Sequence, residues 1–262
     1  MKWYRIKALL LKYFYISINS VDRWFDIFYW PVIDIFVWGF ASFYIKELSN
    51  FNLLSVLMGG VILWIFVWKS SQDIATFVLE DFWARNLYNL FSSPMRISEH
   101  VTSIVLFAFI RGLISFCFLI LLAFLLYSFN IFALPILFIA AAVFILSLFG
   151  WVIGLFVVSL ILRFGQRIQI LAWSIVWVVQ PFSCVFYPLS SIPSWAKPIA
   201  IFLPTTYVFE NMRAFFLEGR AINYGELLYS FILTLFLMII VGFFLYRSYA
   251  KAKQSGMLAK GD

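Results

Sequence analysis

Between Arg111 and Arg163 the chain runs fifty-one residues without one Asp, Glu, Lys, Arg or His. Charged residues make up only 12% of the whole, too few for the surface of a soluble domain of this length. Strict alternation of apolar and polar residues is missing as well, which excludes a membrane β-barrel. The single histidine, His100, cannot make a two-histidine metal site, and it reads as a polar residue at the entrance of a span. Two cysteines, Cys117 and Cys184, both fall in apolar runs, where they read as small apolar side chains rather than as a disulfide or metal framework. No Gly-x-x-x-x-Gly-Lys-Ser/Thr loop occurs, so the chain is not expected to be an enzyme, and any nucleotide hydrolysis belongs to another polypeptide.

What is present is hydrophobic: 65% of the residues, with 33 Phe, 13 Tyr and 11 Trp. A bilayer core needs about 20 apolar residues per helical crossing, and backbone in lipid must satisfy its own hydrogen bonds. The charge-free windows predict an all-α integral membrane protein, a single transmembrane domain over 1–262 with six spans. These cover about 27–45 (interrupted by Asp34), 53–75, 102–127, 133–162, 168–187 and 227–246. Six crossings put both ends on one side. With the termini in the cytoplasm, that side collects Lys2, Arg5, Lys7, Lys12, Arg23, Arg85, Arg96, Arg163, Arg167, Arg247, Lys251, Lys253 and Lys260, leaving Lys46, Lys197, Arg213 and Arg220 outside. The net charge of +7 then follows from topology and suits anionic membrane lipid, not nucleic acid.

The first apolar run, Ala8 to Leu11, stops at Lys12 with no small-residue cleavage site after it, which argues against a signal peptide. Residues 1–23 read instead as an amphipathic interfacial helix. Trp3, Ile6, Leu10, Tyr13 and Phe14 share one face, opposite Arg5, Lys12 and Asn19.

Two polar segments interrupt the spans. In 80–100, Phe82, Trp83, Leu87, Leu90 and Phe91 share a helical face, Arg85, Tyr88 and Asn89 share the other, and Pro94 stops the helix. Such a helix either lies on the membrane or docks a cytoplasmic partner. In 188–225, on the outer side, Pro188, Pro193, Pro198 and Pro204 break an apolar piece too short to cross. Irregular backbone at that depth needs cover from protein or a water-filled cavity, which predicts a re-entrant element. Thr205 or Thr206 is placed to cap a short helix carrying Glu210 and Arg213 three residues apart.

Charges inside spans are functional candidates. At about 1.5 Å per residue, Asp34 lies roughly 12 Å and Arg111 roughly 14 Å above the inner ends of their spans, depths that allow them to pair or to face one polar cavity. Lys69 and Asp73 form an i, i+4 couple, with Lys69 able to snorkel. Gly150-x-x-x-Gly154 has the spacing of close helix packing, as does Gly59-Gly60. Gln180 and Pro181 interrupt the fifth span. The aromatic load fits interface belts and lipid-facing surface better than a sugar-stacking channel.

The stretch "FYPLSSIPSWAKPIAIFLPTTYVFENMR" (Phe186 to Arg213) resembles the outer re-entrant segment of the permease subunits of type 2 ATP-binding-cassette exporters. "NLYNLFSSPMRISE" (Asn86 to Glu99) is similar to the coupling region of that family, and "FYWPVIDIFVWGF" (Phe28 to Phe40) to its first span. The resemblance covers nearly the whole chain. It implies half of an exporter that pairs with a second permease copy, as a homodimer or with a close relative, in the inner membrane. A separate cytoplasmic ATPase subunit would hold ATP and magnesium, and the permease itself would bind no cofactor and no metal. On this resemblance Arg85, Leu87, Leu90, Phe91, Arg96 and Glu99 are coupling residues, and Pro188, Pro193, Trp195, Pro204, Tyr207, Glu210 and Arg213 mark the outer segment. The expected cargo is amphipathic or hydrophobic: a lipid, a lipid-linked glycan or a drug, moved by alternating access. A channel or scaffold subunit without a motor is the alternative. An integral-membrane transferase fits less well, because Asp34 is the one carboxylate placed well inside a span and His100 has no companion.

Overall fold

Apolar helices in lipid gain nothing from hiding from water, so small residues, close packing and internal polar contacts must hold them together. The computed structural model describes residues 2–49, 53–84 and 96–254 and shows how this chain does so. The described residues are helical throughout their ordered elements, with no strand. The helices are α1 (Trp3–Ile18), α2 (Val21–Ser49), α3 (Leu54–Trp83), α4 (Ile97–Tyr127), α5 (Ile136–Phe164), α6 (Leu171–Val179), α7 (Lys197–Ile201), α8 (Pro204–Glu218) and α9 (Tyr224–Gln254). Five of them, α2, α3, α4, α5 and α9, are long and apolar enough to cross a membrane, as expected of an all-α, multi-pass membrane protein.

Helix α3 is the axis of the bundle. Every residue from Val56 to Ser71 is buried, because α2, α4, α5, α6 and α8 all pack around it. A helix enclosed on all sides needs an apolar residue at nearly every position, and the sequence from Val56 to Trp68 supplies this. The closest approach is to α5. A Cβ on Gly150 would lie 2.9 Å from the carbonyl oxygens of Phe66 and Val67, and one on Gly154 would lie 2.9 Å from that of Ser71. The Gly-x-x-x-Gly spacing therefore does what the sequence predicts, bringing two backbones into contact.

Helix α1 lies at the end of the bundle formed by the start of α4 and the finish of α3. Ile6, Leu9 and Tyr13 are buried there, whereas Trp3 and Phe14 are exposed. The apolar face is thus split between the protein and its surroundings. The polar face is not free either, since Arg5 pairs with Glu99 and Lys12 with Asp81.

The expected fifth span, 168–187, differs most from expectation. Helix α6 has nine residues and tightens into a 3-10 turn at Gln180–Phe182. Together these make about 18 Å of helix, well short of the roughly 30 Å hydrocarbon core. Pro181 has no N–H to continue the ladder, and Cys184 follows with a left-handed φ of 53°. Beyond it the prolines act as punctuation. Pro188 precedes a 3-10 turn, the Pro193 carbonyl accepts from Ala196 and Lys197, and Pro204 occupies the first turn of α8. Helix α8 starts at Pro204, whose ring presets the helical φ, so neither Thr205 nor Thr206 is its cap. The Thr206 hydroxyl instead donates to the Ala200 carbonyl at 2.6 Å.

The α3–α5 contact leaves no room for a side chain. Gly150→Val should lower stability by about 1–3 kcal/mol, read as an earlier midpoint in denaturation of the detergent-solubilised protein. Gly242→Val, where a Cβ would meet nothing within 4 Å, should leave the midpoint unchanged.

Candidate functional site

Two apolar clusters fill the bundle, one above and one below a polar belt on α3 that reads Lys69-Ser70-Ser71-Gln72-Asp73. The belt falls at mid-length of a 30-residue helix, where polar groups are most costly to place. Lys69 is fully buried, Asp73 and Arg111 nearly so. Such charges persist only when paired and hydrogen-bonded.

The pairing joins three helices. Arg111 on α4 donates to Asp73 Oδ1 on α3 at 2.9 Å and to Asp26 Oδ2 on α2 at 3.1 Å. It also donates to the Arg23 carbonyl at 3.3 Å. Lys69 pairs with Asp26, donates to the Asp26 carbonyl at 3.0 Å and lies 4.0 Å from Asp73. Arg23 pairs with Glu80, and its guanidinium sits 4.5 Å from the centre of the Phe77 ring, with that of Arg111 at 5.7 Å. Three cations thus meet three carboxylates, with two of the guanidiniums beside one phenyl ring.

Arg111 does not pair with Asp34. Cβ atoms tilt toward the start of a helix, and α4 starts at the α1 end, so the guanidinium reaches toward that end. Asp26 lies on that side, eight residues or about 12 Å of helix from Asp34. Asp34 lines a separate small cavity with Pro31, Trp38, Trp64, Gln180 and Phe186, and has no ion-pair partner among the described residues.

A cavity of about 440 Å³ opens beside the network. Positions 22, 23, 26 and 30 of α2 form one wall, positions 68, 72, 73, 76, 77 and 80 of α3 the floor, and Trp173 and Trp177 of α6 the other wall. The spacings of three and four explain the geometry, since each set lies along one stripe of its helix. Trp68 and Trp177 meet edge to face at 6.5 Å. Trp30 and Trp177 are about half exposed, so the groove is open between them. Buried polar atoms of Gln72, Asp73 and Thr76 along its floor have no hydrogen-bond partner.

A second cluster fastens α1. The Tyr13 hydroxyl is 3.0 Å from His100 Nε2, which lies 3.3 Å from Asp81 Oδ2. Buried Glu99 accepts from the backbone N–H of Lys2 at 2.7 Å and of Arg96 at 3.0 Å, and from Arg5 at 3.2 Å. Glu99 therefore sits inside the fold as the anchor of α1 and the cap of α4, while Arg96 is exposed. Arg85, Leu87, Leu90 and Phe91 lie outside the described residues.

In the segment after α6, Arg213 bridges two elements. It donates to Glu210 at 2.6 Å and to the Cys184 carbonyl at 2.7 Å, and Glu210 accepts from the Leu189 N–H at 2.8 Å. Burial pushes the Arg213 guanidinium below its ordinary pKa, against the pull of Glu210. Tyr207 donates to the Ile201 carbonyl at 3.0 Å, whereas Trp195 is 70% exposed. No metal-binding group of three or more His, Cys, Asp or Glu occurs among the described residues.

The sequence reading picked out Lys69 and Arg111 but not Asp26, Arg23 or the tryptophans of α6. Asp26 falls just ahead of the expected first span, and only the crossing of α2 over α3 and α4 turns it into the centre of the network. The signal available was the i, i+4 stripe Asp22, Asp26, Trp30 facing the stripe Trp68, Gln72, Thr76, Glu80. Neither a family model nor a curated protein sequence matches this chain.

Removing one partner of the network strands the others. Arg111→Leu should cost about 3–5 kcal/mol of stability, and adding Asp73→Asn should cost less than the sum of the two single changes. Asp34→Asn combined with Arg111→Leu should be additive within about 0.5 kcal/mol, as measured by denaturation in detergent.

Proposed function

We propose that this chain is the permease half of an ATP-driven exporter, resembling type 2 ATP-binding-cassette permeases, and that the groove beside Asp26 and Arg111 is part of its pathway. The observation that carries the reading is a charged, tryptophan-walled groove in a bundle otherwise apolar enough to span lipid. A bundle needing only to hold together would do better with apolar residues there, because pairing seldom repays the desolvation of buried ions. The open edge between Trp30 and Trp177 leaves polar walls that lipid cannot solvate, and a second copy of the chain would enclose them into a shared aqueous cavity.

In this reading the chain contributes six crossings. α6 with its 3-10 extension forms the short fifth, and the Pro188 to Gly225 segment dips back from the outer face as a re-entrant element lashed down by Arg213. Both termini lie in the cytoplasm of a cell with the protein in its inner membrane, as the distribution of Lys and Arg favours. The region 80–100 docks a separate ATPase subunit, which binds ATP and magnesium. Closure of the ATPases would act on α3 directly, since that helix runs from the groove into the region. The cargo is amphipathic or hydrophobic, drawn from lipids, lipid-linked glycans and drugs.

Purification of the tagged chain from its native membrane in mild detergent should yield a stoichiometric ATPase subunit and ATP hydrolysis. Changing Leu87 and Leu90 to Asp should abolish both. Recovery of a stable oligomer with neither would refute the exporter reading in favour of a channel or scaffold.

A further inference from the structure

We propose that the groove recognises the ammonium headgroup of an amphipathic cation; this assignment rests on the permease reading and names its cargo. Of the partnerless polar atoms along the groove, Gln72 Oε1 and Asp73 Oδ2 can only accept and the Thr76 hydroxyl can accept or donate, against Arg111 Nε as the one obligate donor. Asp73 is itself only 2% exposed, so its second oxygen cannot turn to bulk water for a partner. A ligand settling there must therefore donate hydrogen bonds.

Charge selects among donors. The three cations of the network are each held by a carboxylate, and Asp22 at the groove's edge adds a fourth carboxylate that has no ion-pair partner among the described residues. The groove is thus one negative charge in excess. A phosphate would find Arg111 Nε alone and would have to break buried ion pairs for further donors, at the cost of stranding their carboxylates. Sugar hydroxyls would satisfy the acceptors but leave the excess charge uncompensated. A protonated amine satisfies both, and the half-exposed ring faces of Trp30 and Trp177 attract a cation more strongly than they attract a neutral group. The open edge lets an alkyl tail remain in lipid while the headgroup enters.

The test is isothermal titration of the chain in lipid nanodiscs, without any ATPase, with empty nanodiscs subtracted. The probes are hexylammonium chloride, hexyl glucoside and hexyl phosphate. Hexylammonium should bind saturably and at least about tenfold more tightly than the other two. Asp22→Asn and Trp177→Ala, both at exposed positions outside the buried network, should each weaken it by about fivefold with the circular dichroism unchanged. Glucoside binding as tight as hexylammonium would make this a hydroxyl site, and tighter phosphate binding an anion site. Either result overturns the proposal, as does unaltered hexylammonium binding in both variants, or no saturable binding of any probe. Because the motor is not in the assay, these outcomes are separate from co-purification of an ATPase, which decides the permease reading on its own.

Discussion

A charge inside an apolar bundle must be met by another, and Arg111 is met twice, by Asp73 on α3 and by Asp26 on α2. That requirement ties three long helices to one another at mid-depth, where lipid-like surfaces offer no preference for one helix arrangement over another. Lys69 closes the figure by pairing with Asp26 from the opposite side. The rotation and height of α2 are set here rather than by its apolar residues, most of which face outward.

Around this point the two apolar clusters divide the work. Above the belt, the large side chains of α3 pack with α4, α5 and α8; below it, Phe77 and Phe107 receive Tyr13 from α1. Phe77 belongs to both worlds, with an apolar contact on one side and two guanidiniums near its ring. A displacement of α1 would therefore reach the network through Phe77 and directly through Ser17, whose hydroxyl accepts from Arg23 at 3.5 Å. The cluster of Tyr13, Asp81 and His100 gives α1 a defined seat beside the finish of α3, where the 80–100 region begins.

The groove gains meaning from the contrast between its walls and the rest of the bundle. Elsewhere some buried hydroxyls close back on their own helix, as Ser147 does to Val143 and Ser159 to Leu155, others tie two helices, as Ser115 does to Ile27, and Ser70, Ser71, Thr205 and Ser248 have no partner among the described residues. Along the groove floor Gln72 and Thr76 make no such bond. Polar atoms left without partners beside an opening are what a binding wall requires, and four tryptophans lining the same space supply flat apolar surface for part of an amphipathic guest.

The sequence alone settled what depends on local composition. Long charge-free windows dictate membrane helices, because backbone in lipid has no other partner than itself. The positions of α3, α4, α5 and α9 follow from them, although α3, α4 and α9 run five to eight residues into their polar flanks and α5 starts three residues inside its window. The spacing of Gly150 and Gly154 announced a close helix contact, and the prolines from 188 to 204 announced broken structure. Tertiary structure decided everything that depends on how helices are rotated against one another. It replaced the expected partner of Arg111, shortened the fifth apolar stretch to α6, drew Glu99 inside as the anchor of α1 and gathered Asp22, Asp26, Trp68 and Trp177 around one cavity. Position along a helix can be counted from a sequence, but azimuth, the relative height of neighbouring helices and the direction of a side chain cannot, and together these set Arg111 against Asp26, two turns from Asp34.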